Sequence, residues 1–209
     1  MSRKLIKYGA LLILAGVVLF NSIYFEKLDE HRSLTAEFDA AAYAQQYWNE
    51  KLMPALSGAI GIDSLATLLK TDKDRTFDQF SNALGIGNIR YFLVKGEGII
   101  AGINENDVSL QIIPGNNGLL VKIATEFVFG NAVRDASAGI DINEFTNTMD
   151  FNNVSNEINK IIRSSVLPPF KAAAKTGDKV AFSGAVELNR EHPDIANMEV
   201  IPVVLKIIE

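Results

Sequence analysis

The apolar pattern of this chain changes rhythm three times. Residues 8–25 form an uncharged run, YGALLILAGVVLFNSIYF. Over residues 34–56 the spacing becomes helical, with Phe38, Ala41, Ala42, Gln45, Trp48 and Leu52 recurring at three- and four-residue steps. Residues 63–70 predict a second short helix, with Leu65, Leu68 and Leu69 on one side and Asp63 as its N-cap. Residues 76–84 predict a third, capped by Thr76 and stopped by Gly85.

After Gly87 the texture becomes strand-like. Residues 89–94, 98–103, 108–113 and 119–129 are rich in Ile, Val and Phe. KGEG, NEND and PGNNG separate them, and the last is a strong turn signal. Residues 125–129 alternate, which places Phe127 and Phe129 on one face. A helical period then returns. Asp141 is its expected cap, Glu144 sits three residues on, and Val154, Ile158, Ile161 and Ile162 continue the stripe to Val166, where Pro168 and Pro169 break it. Residues 179–188 and 199–208 predict two more strands, with Gly184 as a bulge in the first.

The resulting fold class is α+β: an N-terminal transmembrane helix, a helical segment, then strand-strand-strand-helix-strand-strand. That strand order is the connectivity of an OB-like antiparallel β-barrel. An open antiparallel α+β sheet is the alternative. The domain reading is a membrane anchor and stalk at 1–33, a helical subdomain at 34–87 and the barrel domain at 88–209.

The first run fits a membrane span, since about 18 apolar residues are just enough to cross a bilayer core as a helix. Arg3, Lys4 and Lys7 precede it, which places the N-terminus in the cytoplasm and the rest in the periplasm or outside. Ile23, Tyr24, Phe25, Glu26 and Lys27 offer no small-residue cleavage site, so the reading is an uncleaved single-pass anchor in the cytoplasmic membrane. A late-cleaved signal peptide and a buried soluble helix are the alternatives.

Charge and composition narrow the function. The chain of 209 residues carries 20 Lys and Arg against 25 Asp and Glu, a net charge of −5. That balance argues against binding a phosphate backbone, so no nucleic acid is expected. With no cysteine and only two histidines, disulfides are impossible, a zinc site is disfavoured and no cofactor is expected. No Ser-His-Asp or Cys-His set can be assembled, and Gly85 and Gly87 lack the third glycine of a dinucleotide loop. No catalytic residue is assigned, and the expectation is a protein that is not an enzyme.

Three constellations remain. In GNAVRDA (130–136), Asn131 is followed by the adjacent charges Arg134 and Asp135 in apolar surroundings. Arg134 either forks onto a ligand or partner carboxylate or phosphate, or pairs within its own domain. Asn147, Asn152, Asn153, Asn156 and Asn159 crowd the second-half helix, with Asn152, Asn156 and Asn159 on one face. They form either a sugar-contacting surface or a solvated face with one capping residue. Trp48 is the only tryptophan, either a stacking platform or core.

GNAVRDA, FTN (145–147), VSNEIN (154–159), GDKVAFSGA (177–185) and WNEKLMP (48–54) together resemble an uncharacterised bacterial family of predicted periplasmic lipoproteins of unknown function. Its members are often encoded beside sugar-type ABC transporter components. The resemblance implies an envelope address and, as partner, a transporter component or solute-binding protein. It supplies no catalytic residues. The chain departs from the family in lacking a lipobox cysteine, so the span at 8–25 takes the place of a lipid.

Overall fold

The computed structural model describes residues 38–85, 87–113 and 118–208, together with Tyr8, Val17, Val18 and Phe20. It divides into Met1–Phe38 and Asp39–Glu209. In the first unit Tyr8, Val17, Val18 and Phe20 are helical and exposed. The rest of the expected span and stalk lies outside the described residues. Among the described residues no helix is long and apolar enough to cross a membrane.

Asp39–Glu209 is one compact unit, so the expected helical subdomain at 34–87 and the barrel domain cluster together from Asp39 onward. Its strands are β1 (Ile60–Gly61), β2 (Ser81–Asn82), β3 (Ile89–Ile103), β4 (Asp107–Ile113), β5 (Leu120–Ala124), β6 (Lys179–Asn189) and β7 (Glu199–Ile208). The sheet runs β3-β4-β5-β7-β6 and returns to β3. Only β5 and β7 among these pair in parallel, through Lys122↔Glu199 and Ile123↔Val200. This is a closed five-stranded barrel with OB connectivity, and it rules out the open sheet. Hydrophobic alternation makes the core: Val108, Leu110 and Ile112 face inward from β4, with Phe92, Val94, Val121, Ile123, Phe182 and Val200 from its neighbours.

Closure depends on the length of β3. It pairs with β6 from Ile89↔Asn189 to Ile99↔Lys179, and with β4 from Glu97↔Ile113 to Ile103↔Val108. The break expected at KGEG is therefore absent. Gly96 and Gly98 let the coiled strand pass its neighbours: a Cβ at Gly96 would sit 2.9 Å from the Phe182 ring, and one at Gly98 2.9 Å from the Gln111 carbonyl oxygen. Gly184 is a bulge as expected, where the register with β7 shifts from Ser183↔Val204 to Gly184↔Pro202. The strand expected to reach Phe129 stops at Ala124, because the Thr125 and Glu126 N–H groups both turn onto the Asn106 carbonyl. Phe127 and Phe129 still share a side, with ring centroids 5.8 Å apart. Residues 114–117 of the expected PGNNG turn lie outside the described ones, and its last residue, Gly118, has φ 62°.

The helices are α1 (Ala40–Tyr47), α2 (Ile62–Thr71), α3 (Lys73–Phe80), α4 (Ala132–Ala136), α5 (Thr148–Ile161) and α6 (Leu167–Ala173). Asp39 caps α1 by accepting from the Ala42 N–H at 2.9 Å. The expected caps of α2 and α3 are corrected. Gly61 precedes α2, and α3 starts earlier because Asp72 accepts from the Arg75 N–H. Thr76 instead donates to the Asp72 carbonyl at 2.6 Å. Asp141 caps only a single 3₁₀ turn, Ile142–Glu144, and α5 begins at its own cap, Asn147.

Nor do Pro168 and Pro169 end the helix. The turn Ile162–Val166 widens to π geometry and the helix continues as α6 with those prolines in its first turn. A proline has no N–H to give the carbonyl four residues back and its ring crowds that carbonyl; a wider turn relieves both. The same device precedes Pro54, where Trp48–Leu52 is a π turn.

Candidate functional site

Between β5 and β6 the chain runs through α4, α5 and α6, and its first excursion, from Gly130 through α4, packs against β3 and β6. Gly130 starts it in a left-handed conformation, φ 81°, which an L side chain resists. The five residues of α4 then bury every side chain. Two of these are the charged pair. Arg134 is 3% exposed and Asp135 5%.

Burial of a charge demands partners. Arg134 Nε donates to Asp135 Oδ1 at 2.7 Å, and Nη1 donates to the Phe151 carbonyl of α5 at 3.1 Å. The guanidinium carbon lies 3.5 Å from the centroid of the Phe151 ring, a close cation–π contact. The Arg134 carbonyl accepts from the Tyr47 hydroxyl at 3.2 Å and from Ser137 at 2.9 Å. Tyr47 and Ser137 also share a short hydroxyl contact. Asn82 of β2 donates to the Ala136 carbonyl at 2.8 Å. Strand, helix and excursion are thereby tied to one another through α4.

A cleft of about 350 Å³ opens over this pair. One wall is formed by Ala83, Leu84, Gly85, Gly87 and Asn88 with Ile89 and Tyr91 of β3, and the other by Ile142 with Thr148, Phe151 and Asn152 of α5. Asn131, Arg134 and Asp135 form its floor. Burial, and then the nearby carboxylates of Glu187 and Asp135, push the Tyr91 hydroxyl up to about 12. Tyr91 is therefore a neutral phenol at physiological pH. Among the described residues Asp135 is the only carboxylate lining the cleft, and no group of three or more His, Asp or Glu is placed to hold a metal ion. The cleft offers hydrogen-bonding groups and the partly exposed ring of Tyr91.

The family profile described as "Predicted periplasmic lipoprotein (DUF2291)" matches residues 13–206. The chain belongs to that family. An OB-fold protein from Thermotoga maritima, solved crystallographically at 1.90 Å, is similar to it at 25% identity. The likeness covers 83% of this chain and 100% of that one, with a TM-score of 0.71. No curated protein matches.

Within this DUF2291 chain the residues singled out from sequence part company. Asn131, Arg134 and Asp135 meet at the cleft, joined by Asn152. Asn147 is the α5 cap, accepting from the Asp150 N–H at 2.8 Å. Asn159 is buried and donates to the Gly130 carbonyl at 2.9 Å, holding the excursion down. Asn156 is exposed one turn beyond Asn152 and outside the cleft lining. The shared asparagine face is thus a flank, with Asn159 at its inner edge and Asn156 at its outer edge. Trp48 is 9% exposed and lies in the core.

Sequence reasoning missed Tyr91, Thr148, Phe151 and the strip before β3. The available signal was the pair Gly85 and Gly87 just before Asn88 and Ile89, which reads from sequence as a helix stop and an incomplete dinucleotide loop.

Proposed function

We propose that the chain is a non-enzymatic, membrane-tethered binding module on the periplasmic side, an accessory to solute uptake whose contact surface is the Arg134 cleft. The observation that carries the reading is the cleft itself, a concave site with a few convergent polar groups beside β3 of the barrel. Its floor holds a buried ion pair that is not engaged with any acid–base partner for catalysis. The tether in this reading is the apolar run at 8–25, because the sequence holds no cysteine to carry a lipid. Family membership supports the periplasmic address. The partner is a transporter component or a solute-binding protein.

Purifying the full chain from native membranes under mild cross-linking tests this. Recovery of a transporter component or solute-binding protein is expected; recovery of neither contradicts the accessory role.

A second reading has its own observation. Arg134 has already given Nε and Nη1 to partners inside the fold, as it would in a purely structural envelope module. Asn152 separates the two. It is exposed and lines the cleft, so Asn152→Ala removes contact surface without touching the core. Lost binding at an unchanged melting temperature supports the binding module.

A further inference from the structure

We infer that the Arg134 cleft takes a neutral, polyhydroxylated solute of monosaccharide size; this deepens the binding reading above and rests on it.

Charge is the first argument. Arg134 and Asp135 lie side by side, both nearly sealed from water, and each is compensated by the other at 2.7 Å. A carboxylate or phosphate arriving at Arg134 would also meet Asp135, and an ammonium arriving at Asp135 would also meet Arg134. Either would lose its hydration for an attraction already largely cancelled. A hydroxyl has no such conflict, because it donates and accepts at once. Among the described residues neither Arg134 Nη2 nor Asp135 Oδ2 has a hydrogen-bond partner, while both residues line the cleft. Adjacent hydroxyls on one ligand can accept from the first and donate to the second.

The rim is the second argument. The side chains of Asn88, Asn131, Thr148 and Asn152 make no hydrogen bond with any other described residue. Three amides and a hydroxyl, each able to donate and accept, surround the opening without a single formal charge among them. Planar amides of this kind read hydroxyl groups by direction.

The third argument is the apolar surface. Tyr91, a neutral phenol, gives the cleft an aromatic side, with Ile89 and Ile142 beside it, while the Phe151 ring is buried beneath the Arg134 guanidinium. The partly exposed Tyr91 ring can pack against the C–H face of a sugar ring. At about 350 Å³ the space lies near the lower end of small-molecule sites, which excludes long oligosaccharides from full enclosure.

Calorimetric titration of the full chain tests the inference with glucose, galactose, ribose and xylose, set against glucuronate and glucosamine. The last two place a negative or a positive charge on the same ring. At least one neutral sugar should bind saturably, and both charged sugars at least tenfold more weakly. Asn152→Ala should weaken that sugar at least tenfold at an unchanged melting temperature. Binding of glucuronate or glucosamine as tight as that of any neutral sugar overturns the inference and leaves the binding reading standing. So does an Asn152→Ala chain that binds the sugar unchanged. Silence from all six sugars also overturns it. The membrane cross-linking described above then decides the broader reading separately, since partner recovery does not depend on the sugars.

Discussion

At position 134 a cation sits where water scarcely reaches, and its neighbours in the fold were chosen accordingly. Asp135 supplies charge, the Phe151 carbonyl supplies an acceptor and the Phe151 ring supplies a face. Arg134→Ala strands the Asp135 carboxylate in the same burial. The expected loss is about 3–5 kcal/mol, read from denaturant unfolding. Arg134→Ala combined with Asp135→Asn should recover part of it, because the stranded charge is gone.

Three of the chain's five tyrosines report on the same region. Burial raises the hydroxyls of Tyr43, Tyr47 and Tyr91. Each is neutral below its ordinary value near 10 in both folded and unfolded states, so the stabilisation is full there. Above 10 the unfolded chain releases protons that the folded chain still holds, and stability falls as pH rises towards the folded values. Ultraviolet absorbance should show Tyr43 and Tyr91 still un-ionised a little above pH 10 in the native chain and largely ionised there in denaturant.

The charged pair and the asparagines were visible in sequence because charges and amides are unusual in an apolar stretch. Their division of labour was not. Whether an asparagine caps, like Asn147, or clamps a backbone carbonyl, like Asn159, depends on what lies opposite it.

The strands and helices were largely legible from periodicity. β6, β7 and β4 lie nearly where the alternation put them, and the order of elements carried the barrel connectivity. The failures are all places where the local signal is ambiguous. Two glycines in four residues look like a turn, yet in β3 they are where a long strand passes close to its neighbours. Two consecutive prolines look like a stop, yet a π turn before them lets the helix continue. The two-residue strands β1 and β2 are too short to have a period.

Gly184 shows how tightly the barrel wall is drawn. A Cβ there would lie 2.2 Å from the Ile201 carbonyl oxygen, while one at Gly102 meets nothing within 4 Å. Gly184→Ala should therefore cost about 1–3 kcal/mol or more in urea unfolding, as overpacking does. Gly102→Ala should change stability by less than about 1 kcal/mol, and an equal loss at both positions would contradict the bulge account.

The cleft belongs to the molecule as a whole. Its lining comes from the stretch before β3 and β3 itself on one hand, and from α4 and the start of α5 on the other, segments that lie far apart in sequence and meet in the fold. That is why Tyr91 carried no signal: nothing in its own neighbourhood of sequence marks a strand residue as facing a site formed elsewhere. It is also why the likeness to the Thermotoga maritima protein informs the barrel and leaves the ligand to the chemistry of these side chains.

The most direct test of the account is thermal unfolding of the full chain against neutral sugars, with an Asn152→Trp chain, in which the indole fills the cleft mouth, as its companion. A bound solute adds about 2.7 kcal/mol of stability at a hundredfold excess over its dissociation constant. The account predicts a rise in the midpoint for the natural chain with at least one neutral sugar and none for Asn152→Trp. A rise of equal size in both chains would place binding outside the cleft, and a flat response in the natural chain would contradict the cleft as a site for neutral sugars.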